Sequence, residues 1–152
     1  ATTETYTCPY TTLVRSLAEH ALEKLAPVLP VVGGQSWTAS EVLPGGDIGE
    51  GGFDGALARL RRVAPWLPEE LGWRLMRNYG SRTYEIIGQA NSMDDMGELL
   101  GGDLSTREVD YLMAREWART AEDVLWRRSK LGLHLNDAEK ARVETYVQKK
   151  AV

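Results

Sequence analysis

Several features are missing from this 152-residue sequence, and each absence narrows the functions that it can have. Its single cysteine, Cys8, cannot form an intramolecular disulfide, so a reducing compartment is permitted. No apolar run approaches the roughly 20 residues that are needed to span a bilayer, and no signal-peptide pattern opens the chain. We therefore expect a soluble, cytoplasmic protein.

A strong charge of either sign is also missing. The formal net charge is -4, which gives no electrostatic reason to expect nucleic acid as a partner. Basic residues do cluster at 59–62 and at 127–130, but each cluster has acidic neighbours. Solvated helix faces are therefore the favoured interpretation of both clusters.

Residues with obvious metal-binding or cofactor-binding chemistry are equally scarce. The two histidines, His20 and His134, lie far apart, and no metal-ligand spacing occurs anywhere in the chain. Gly49, Gly51 and Gly55 form G-x-G-x-x-x-G, which is one residue too long for a dinucleotide loop and follows no buried strand. We predict no catalytic, cofactor-binding or metal-binding residue in this chain.

What the sequence does contain is helical periodicity. Apolar residues recur at helical spacing from residue 11 onward, without convincing two-residue alternation, and Ser105 and Asn136 begin Ser-x-x-Glu and Asn-x-x-Glu capping boxes. A glycine-rich loop at 31–52 follows the first helix, and its apolar residues are expected to pin it to the core. The predicted fold is all-α: a single irregular domain of five to seven helices at 11–152. Residues 1–10 are predicted to be extended or disordered.

The long helix that Ser105 is predicted to begin places charges on its apolar face. An unpaired buried charge costs several kcal/mol or more, so such residues need partners. Asp123 and Arg127 are four residues apart and are predicted to pair, whereas Glu116 needs a partner on another helix or domain. A surface helix with a partly solvated charged edge remains an alternative. The predicted structural or inter-domain polar cluster consists of Glu116, Asp123, Arg127 and Arg128.

Tryptophans on this stretch suggest a contact as well. Five tryptophans are spread over the chain, and such residues more often anchor packing than stack on a ligand. Trp117 and Trp126 are expected to be exposed enough to contact a neighbouring domain.

Four segments, in order, resemble the C-terminal helical cap domain of the FAD-dependent (aerobic or respiratory) glycerol-3-phosphate dehydrogenases. Each carries a motif that is similar to one of that family, and together they span nearly all of the chain from residue 11 onward. The segments are RSLAEHALEKLAP (15–27), WTASEVLPGGDI (37–48), LMRNYGSRTYEII (75–87) and EWARTAEDVLWRR (116–128).

The resemblance implies a larger flavoenzyme of which this chain is a C-terminal part. That family oxidises glycerol 3-phosphate to dihydroxyacetone phosphate and passes the electrons to FAD and then to quinone, or to oxygen in an oxidase branch. The implied partner is the FAD- and substrate-binding domain of the same polypeptide, on which this domain would pack without being catalytic itself. The resemblance also allows a homodimer and a peripheral position of the parent at the cytoplasmic face of the inner membrane.

The chain departs from the family pattern near its first residues. Cys8-Pro9-Tyr10 stands where the family has Gly-Gly-Lys, so no flavin-binding role is transferred to these positions. An alternative function from another class is an independent all-helical module that binds a protein partner.

Overall fold

A computed structural model describes residues 9–29 and 40–150. The chain divides into two compact units, Ala1–Glu41 and Val42–Val152. The first contains helix α1, Pro9–Leu25, and a 3-10 turn at Ala26–Val28. Proline is favoured in the first turn of a helix, where its missing N–H is not needed, so α1 includes two residues of the segment predicted to be non-helical. Residues 1–8 of that segment, and Trp37 of the glycine-rich loop, lie outside the described residues.

The second unit contains five α-helices, a short hairpin and a π-helical segment. Its regular elements are α2 (Gly52–Val63), α3 (Glu69–Tyr79), α4 (Thr83–Ile87), β1 (Leu99–Gly101), β2 (Leu104–Ser105), α5 (Thr106–Arg115), the π-helical segment Asp123–Arg128 and α6 (Asp137–Lys150). Short 3-10 turns lie at Gly80–Arg82, Asp94–Met96 and Leu131–Leu133.

The core of this unit forms where α2 and α3 pack on α4 and α5. Leu60 and Leu75 are almost fully buried between α2 and α3, and Gly72 of α3 faces the Leu60 side chain. Val109 and Leu112 of α5 are equally buried, as the spacing of apolar residues on an amphipathic helix predicts.

The hairpin and α6 close the other side of the core. β1 and β2 are antiparallel, with Leu99 opposite Ser105, and α6 packs against β1. Arg142 donates from Nε to the carbonyl oxygen of Leu100 at 2.9 Å. Tyr146 donates its hydroxyl to Asp110 of α5 at 2.9 Å, so α6 contacts both the hairpin and α5.

The prediction of an all-helical fold of five to seven helices is confirmed, since the described residues contain six α-helices and a single short hairpin. Both capping boxes mark true helix starts, although the two differ in detail. Asn136 and Glu139 bond each other's backbone N–H groups at 3.0 and 2.9 Å. Ser105 accepts from the N–H of Glu108 at 3.3 Å, but the Glu108 carboxylate turns into the core instead of back to the cap.

The prediction of one long helix from Ser105 is wrong. Helix α5 ends at Arg115, and Trp117 adopts a left-handed backbone conformation with φ of 56°. A new helical segment begins after Thr120, whose hydroxyl accepts from the N–H of Asp123 at 3.1 Å. Because the chain turns between the two segments, Glu116 and Asp123 do not share one helix face.

Candidate functional site

A buried charge cluster ties α3 to α5. The Glu108 side chain is only 1% exposed, and Arg74 donates to both of its carboxylate oxygens at 2.8 and 2.7 Å. Tyr79 donates its hydroxyl to the same carboxylate at 2.7 Å, and Asp103 accepts from Arg74 Nε at 2.8 Å. We call these four residues the Arg74 cluster. A buried carboxylate is tolerated because it is charge-paired and hydrogen-bonded on both oxygens.

The two hydrogen-bond donors of this cluster, Tyr79 and Arg74, keep their protons at neutral pH. Burial raises the pKa of the Tyr79 hydroxyl far above its usual range, and the negative charge of Glu108 raises it further. Burial opposes the charge of Arg74, but hydrogen bonds and attraction from Glu108 and then Asp103 hold the pKa of Arg74 above its ordinary value. Both donors therefore keep their protons, and the arrangement is suited to joining elements rather than to transferring protons.

A groove lies where the loop at 43–47 meets the end of α3. The loop and helix touch through their backbones: Ser81 donates its N–H to the carbonyl oxygen of Gly45 at 3.0 Å, and its hydroxyl to Asp47. The glycine-rich motif at 43–46 and the Tyr-Gly motif at 79–80 are thereby brought together. We call this depression the loop groove; its lining includes Leu43, Pro44, Gly45, Gly46, Tyr79, Gly80, Arg82, Tyr111 and Glu116.

One wall of the loop groove is connected to the Arg74 cluster. The rings of Tyr79 and Tyr111 pack edge to face, with 5.6 Å between their centroids. The Tyr79 hydroxyl on the far side bonds Glu108. The buried ion pair therefore positions one wall of the groove.

Trp117, which follows Glu116 of the groove lining in the chain, combines two unfavourable features. It is 79% exposed, and its left-handed backbone costs a non-glycine residue about 1–2 kcal/mol. Ala118, which follows it, is fully buried and donates its N–H to Leu112 at 3.1 Å. The expectation that Trp117 is exposed is confirmed, and Trp126 is 38% exposed.

The structure brings together only parts of the predicted polar cluster. Arg127 donates to Asp123 at 2.7 Å, as the four-residue spacing predicted, and also to Glu122 at 2.9 Å. Arg128 donates from Nε to the backbone carbonyl of Glu116 at 2.6 Å, while the Glu116 carboxylate is 3.5 Å from the Tyr111 hydroxyl. The role of the predicted polar cluster at an interface between domains stays a prediction.

Asp123 acts mainly in capping the helical segment that begins after Thr120. Its Oδ2 accepts from the N–H groups of Arg119 and Thr120, both at 3.0 Å. The bond from the Arg119 N–H, followed by those from Thr120, lowers the pKa of this carboxyl well below its usual range.

This lowered pKa predicts a stability difference that depends on pH. We expect the protein to be more stable than its Asp123→Asn variant above about pH 4, where the carboxyl is ionised in both folded and unfolded states. The difference should disappear as the pH falls below that value, because the unfolded chain then binds the proton first. Urea unfolding at several pH values measures it. Asp137→Asn, which changes a fully exposed carboxylate, is the control; an equal effect in both variants would refute the cap assignment.

The glycine-rich segment at 49–55 lacks the surroundings of a dinucleotide-binding loop. Arg59 of α2 donates to the backbone carbonyls of Glu50 and Ile48, and its guanidinium fills the space beside Gly49. The glycine-rich segment is therefore packed against protein, with no strand before it in the described chain. Among the described residues there is also no group of three or more potential metal ligands and no helix able to cross a membrane.

The Arg74 cluster was not identified from the sequence. In the sequence, Glu108 is recognisable only as the last residue of the capping box that begins at Ser105. Its position three and four residues before Tyr111 and Leu112 places it on the buried face of α5, and this signal was available. Its partner Arg74 lies 34 residues away, and no local pattern links the two.

Comparisons with known proteins confirm the resemblance to the glycerol-3-phosphate dehydrogenase family. Residues 29–149 match the family described as the C-terminal domain of alpha-glycerophosphate oxidase. The chain is 45% identical over 136 residues to aerobic glycerol-3-phosphate dehydrogenase of Escherichia coli, covering 90% of this chain and 27% of that protein. It is 44% identical over 137 residues to glycerol-3-phosphate dehydrogenase of Pseudomonas aeruginosa, covering 90% and 26%. It is 42% identical over 130 residues to D-erythritol 1-phosphate dehydrogenase of Brucella abortus, covering 86% and 26%.

Proposed function

Because this chain belongs to the family of the C-terminal domain of alpha-glycerophosphate oxidase, we propose that the whole protein is an FAD-dependent glycerol-3-phosphate dehydrogenase. The chain spans about a quarter of the length of the relatives that it matches, so the activity is proposed for a longer polypeptide. The reaction would remove two electrons and two protons from the secondary alcohol of glycerol 3-phosphate. FAD, held by the rest of that polypeptide, would accept the electrons and pass them to quinone.

Within that protein, this chain would pack on the catalytic part without being catalytic itself. The observation that carries this proposal is the match of residues 29–149 to a domain of a larger oxidase. The hydrogen bonds within this chain are consistent with a structural role, since the buried polar groups of the Arg74 cluster bond one another. The alternative of an independent interaction module does not account for the family match.

The identity of the substrate has a second candidate. The names of the relatives include both a glycerol-3-phosphate and an erythritol-1-phosphate dehydrogenase, at 45% and 42% identity. These values are too close to separate the two, and both substrates are phosphate esters of short polyols. Glycerol 3-phosphate is our first choice because it is in the names of relatives from both Escherichia coli and Pseudomonas aeruginosa.

The test is a dye-reduction assay on the purified full-length protein with FAD bound. We expect glycerol 3-phosphate to reduce the dye and to bleach the flavin, with a larger kcat/KM than D-erythritol 1-phosphate has. Unphosphorylated glycerol is the negative control. The reverse preference would support the erythritol-phosphate activity, and no bleaching with either ester would refute the proposal.

Localisation follows from the same proposal. A dehydrogenase that passes electrons to quinone must reach the membrane, so we propose a cytoplasmic protein bound peripherally at the cytoplasmic face of the inner membrane. Fractionation tests this: the protein should sediment with membranes and be released by high salt or carbonate. Recovery in the soluble fraction at low salt would contradict it.

A further inference from the structure

Trp117 is held rigidly in an exposed position. The N–H groups of Glu116 and Ala118 both donate to the carbonyl oxygen of Leu112, at 3.0 and 3.1 Å. Arg128 donates to the carbonyl oxygen of Glu116 at 2.6 Å, so the turn is fixed from both sides of Trp117. Glycine is the usual residue at a left-handed position after a helix, and it would satisfy this backbone without an exposed indole ring. Packing within the unit therefore does not explain the tryptophan.

Two other tryptophans of this unit, unlike Trp117, pack against neighbouring side chains or backbone. Trp126 covers Gly132, where an added Cβ would lie 2.6 Å from the indole, and Lys140 lies 5.9 Å from its ring. Trp73 packs edge to face on Phe53 at 6.0 Å. In the part of the chain that the structure describes, none of the aromatic or cation–π pairs involves Trp117.

Trp117 directly follows, in the chain, a residue that lines the loop groove. Glu116, the preceding residue, lines this groove, and so does Leu43. Leu43 is 81% exposed, and its neighbour Val42 is more than half exposed. Large exposed apolar side chains next to a groove that is also lined by charged residues, here Arg82 and Glu116, are typical of an interaction site.

We propose that Trp117 and the loop groove form the docking surface for the catalytic part of the same polypeptide, with Trp117 as its central anchor. This inference rests on the proposed function. Two observations favour that occupant over a second copy of the chain. The relatives are nearly four times as long as the stretch matched here, so most of such a polypeptide lies outside this domain. The chain also enters the unit at Val42, beside the groove, so the preceding part is tethered there at high effective concentration.

A rigid tryptophan suits this role physically. Tryptophan is enriched among the few residues that dominate binding energy at interfaces. Fixing its backbone in advance reduces the entropy that is lost when the partner closes over it. The strained turn after α5 thus fixes the backbone from which the ring projects before the partner binds.

The test uses the full-length protein labelled with 5-fluorotryptophan. The fluorine resonance of Trp117 is assigned by its absence in a Trp117→Phe variant, and its solvent isotope shift reports exposure. We expect little or no shift for Trp117, because the catalytic part covers it. Trp73, which is 46% exposed here, should keep a shift and serves as the internal control. A large isotope shift at Trp117 would overturn the proposal.

A second measurement asks whether the ring contributes to docking. In full-length protein, Trp117→Gly should increase amide exchange in the segment 43–46 roughly tenfold or more, as expected when an interface anchor is lost. Trp73→Phe should leave exchange in this segment unchanged. Equal exchange in the Trp117→Gly variant and the unsubstituted protein would contradict the anchor role.

The outcomes separate this inference from the proposed function. Protection of Trp117 that appears only at concentrations where the protein is dimeric would assign the groove to a second copy and refute our choice of occupant. A protected Trp117 in a protein that oxidises neither polyol phosphate would retain the docking surface and remove the substrate assignment. An active dehydrogenase with an exposed Trp117 would retain the substrate assignment and refute the docking surface.

Discussion

Replacing Glu108 with alanine should lower the free energy of unfolding by about 3–5 kcal/mol, the usual cost of removing one partner of a buried ion pair. The substitution leaves the Arg74 guanidinium, whose side chain is 16% exposed, without its bidentate acceptor. It also leaves the Tyr79 hydroxyl without the carboxylate that it bonds. Urea or thermal unfolding measures the loss. Glu98→Ala, at an exposed position, is the matched control and should change stability by no more than about 0.5 kcal/mol.

A double substitution distinguishes the ion pair from simple loss of packing. Arg74→Met alone strands the Glu108 carboxylate in the core, and Glu108→Leu alone strands the guanidinium. The double variant strands neither of these charges, so it should be less destabilised than the sum of the two single variants. Additive effects would show that the two side chains contribute independently, contrary to the bidentate geometry.

The local features of this fold were predictable because their causes are local. The Asn136–Glu139 capping box involves residues three apart, and the structure contains both of its bonds. The same kind of signal marks the restart of the helix after Thr120, which the prediction of one long helix did not include. Thr120 and Asp123 are also three apart, and each accepts from the other's N–H. The apolar periodicity across 109–124 obscured this signal, since it continues through the break.

The buried cluster was unpredictable for the opposite reason. A charge on an apolar face indicates that a partner is needed, but it does not identify that partner. Glu116 and Glu108 both lie among apolar residues in the sequence, and only Glu108 is buried. Its partner comes from α3, so the choice depends on how α3 and α5 pack, which periodicity alone does not determine.

The two glycine motifs show how such long-range packing can still leave a signature. Taken alone, each motif predicts only a turn, one at residues 45–46 and the other at residue 80. In the structure their backbones touch, and an added Cβ at either Gly45 or Gly80 would overlap a carbonyl oxygen of the other segment. The sequence predicts two turns, whereas their contact explains why both lack side chains.

This contact predicts a severe effect for Gly80→Ala. Gly80 has φ of 55° and ψ of -131°, a conformation that L-residues rarely adopt, and the new Cβ would overlap the carbonyl oxygen of Gly45. We expect a loss of about 3 kcal/mol or more in the free energy of unfolding, because backbone strain adds to the overlap. To relieve the overlap, the loop at 43–47 has to move off α3, which breaks the bond from Ser81 to Gly45 and adds to the loss.

Gly52→Ala separates these two causes. Gly52 has nearly the same φ, 56°, but an added Cβ there meets no atom within 4 Å. Its cost should therefore be the conformational strain alone, about 1–2 kcal/mol. Hydrogen exchange of the Ser81 amide should be faster in Gly80→Ala and unchanged in Gly52→Ala, because only the first displaces the loop. Equal stabilities for the two variants would mean that the loop moves away at little cost, and the loop groove would then not be a preformed surface.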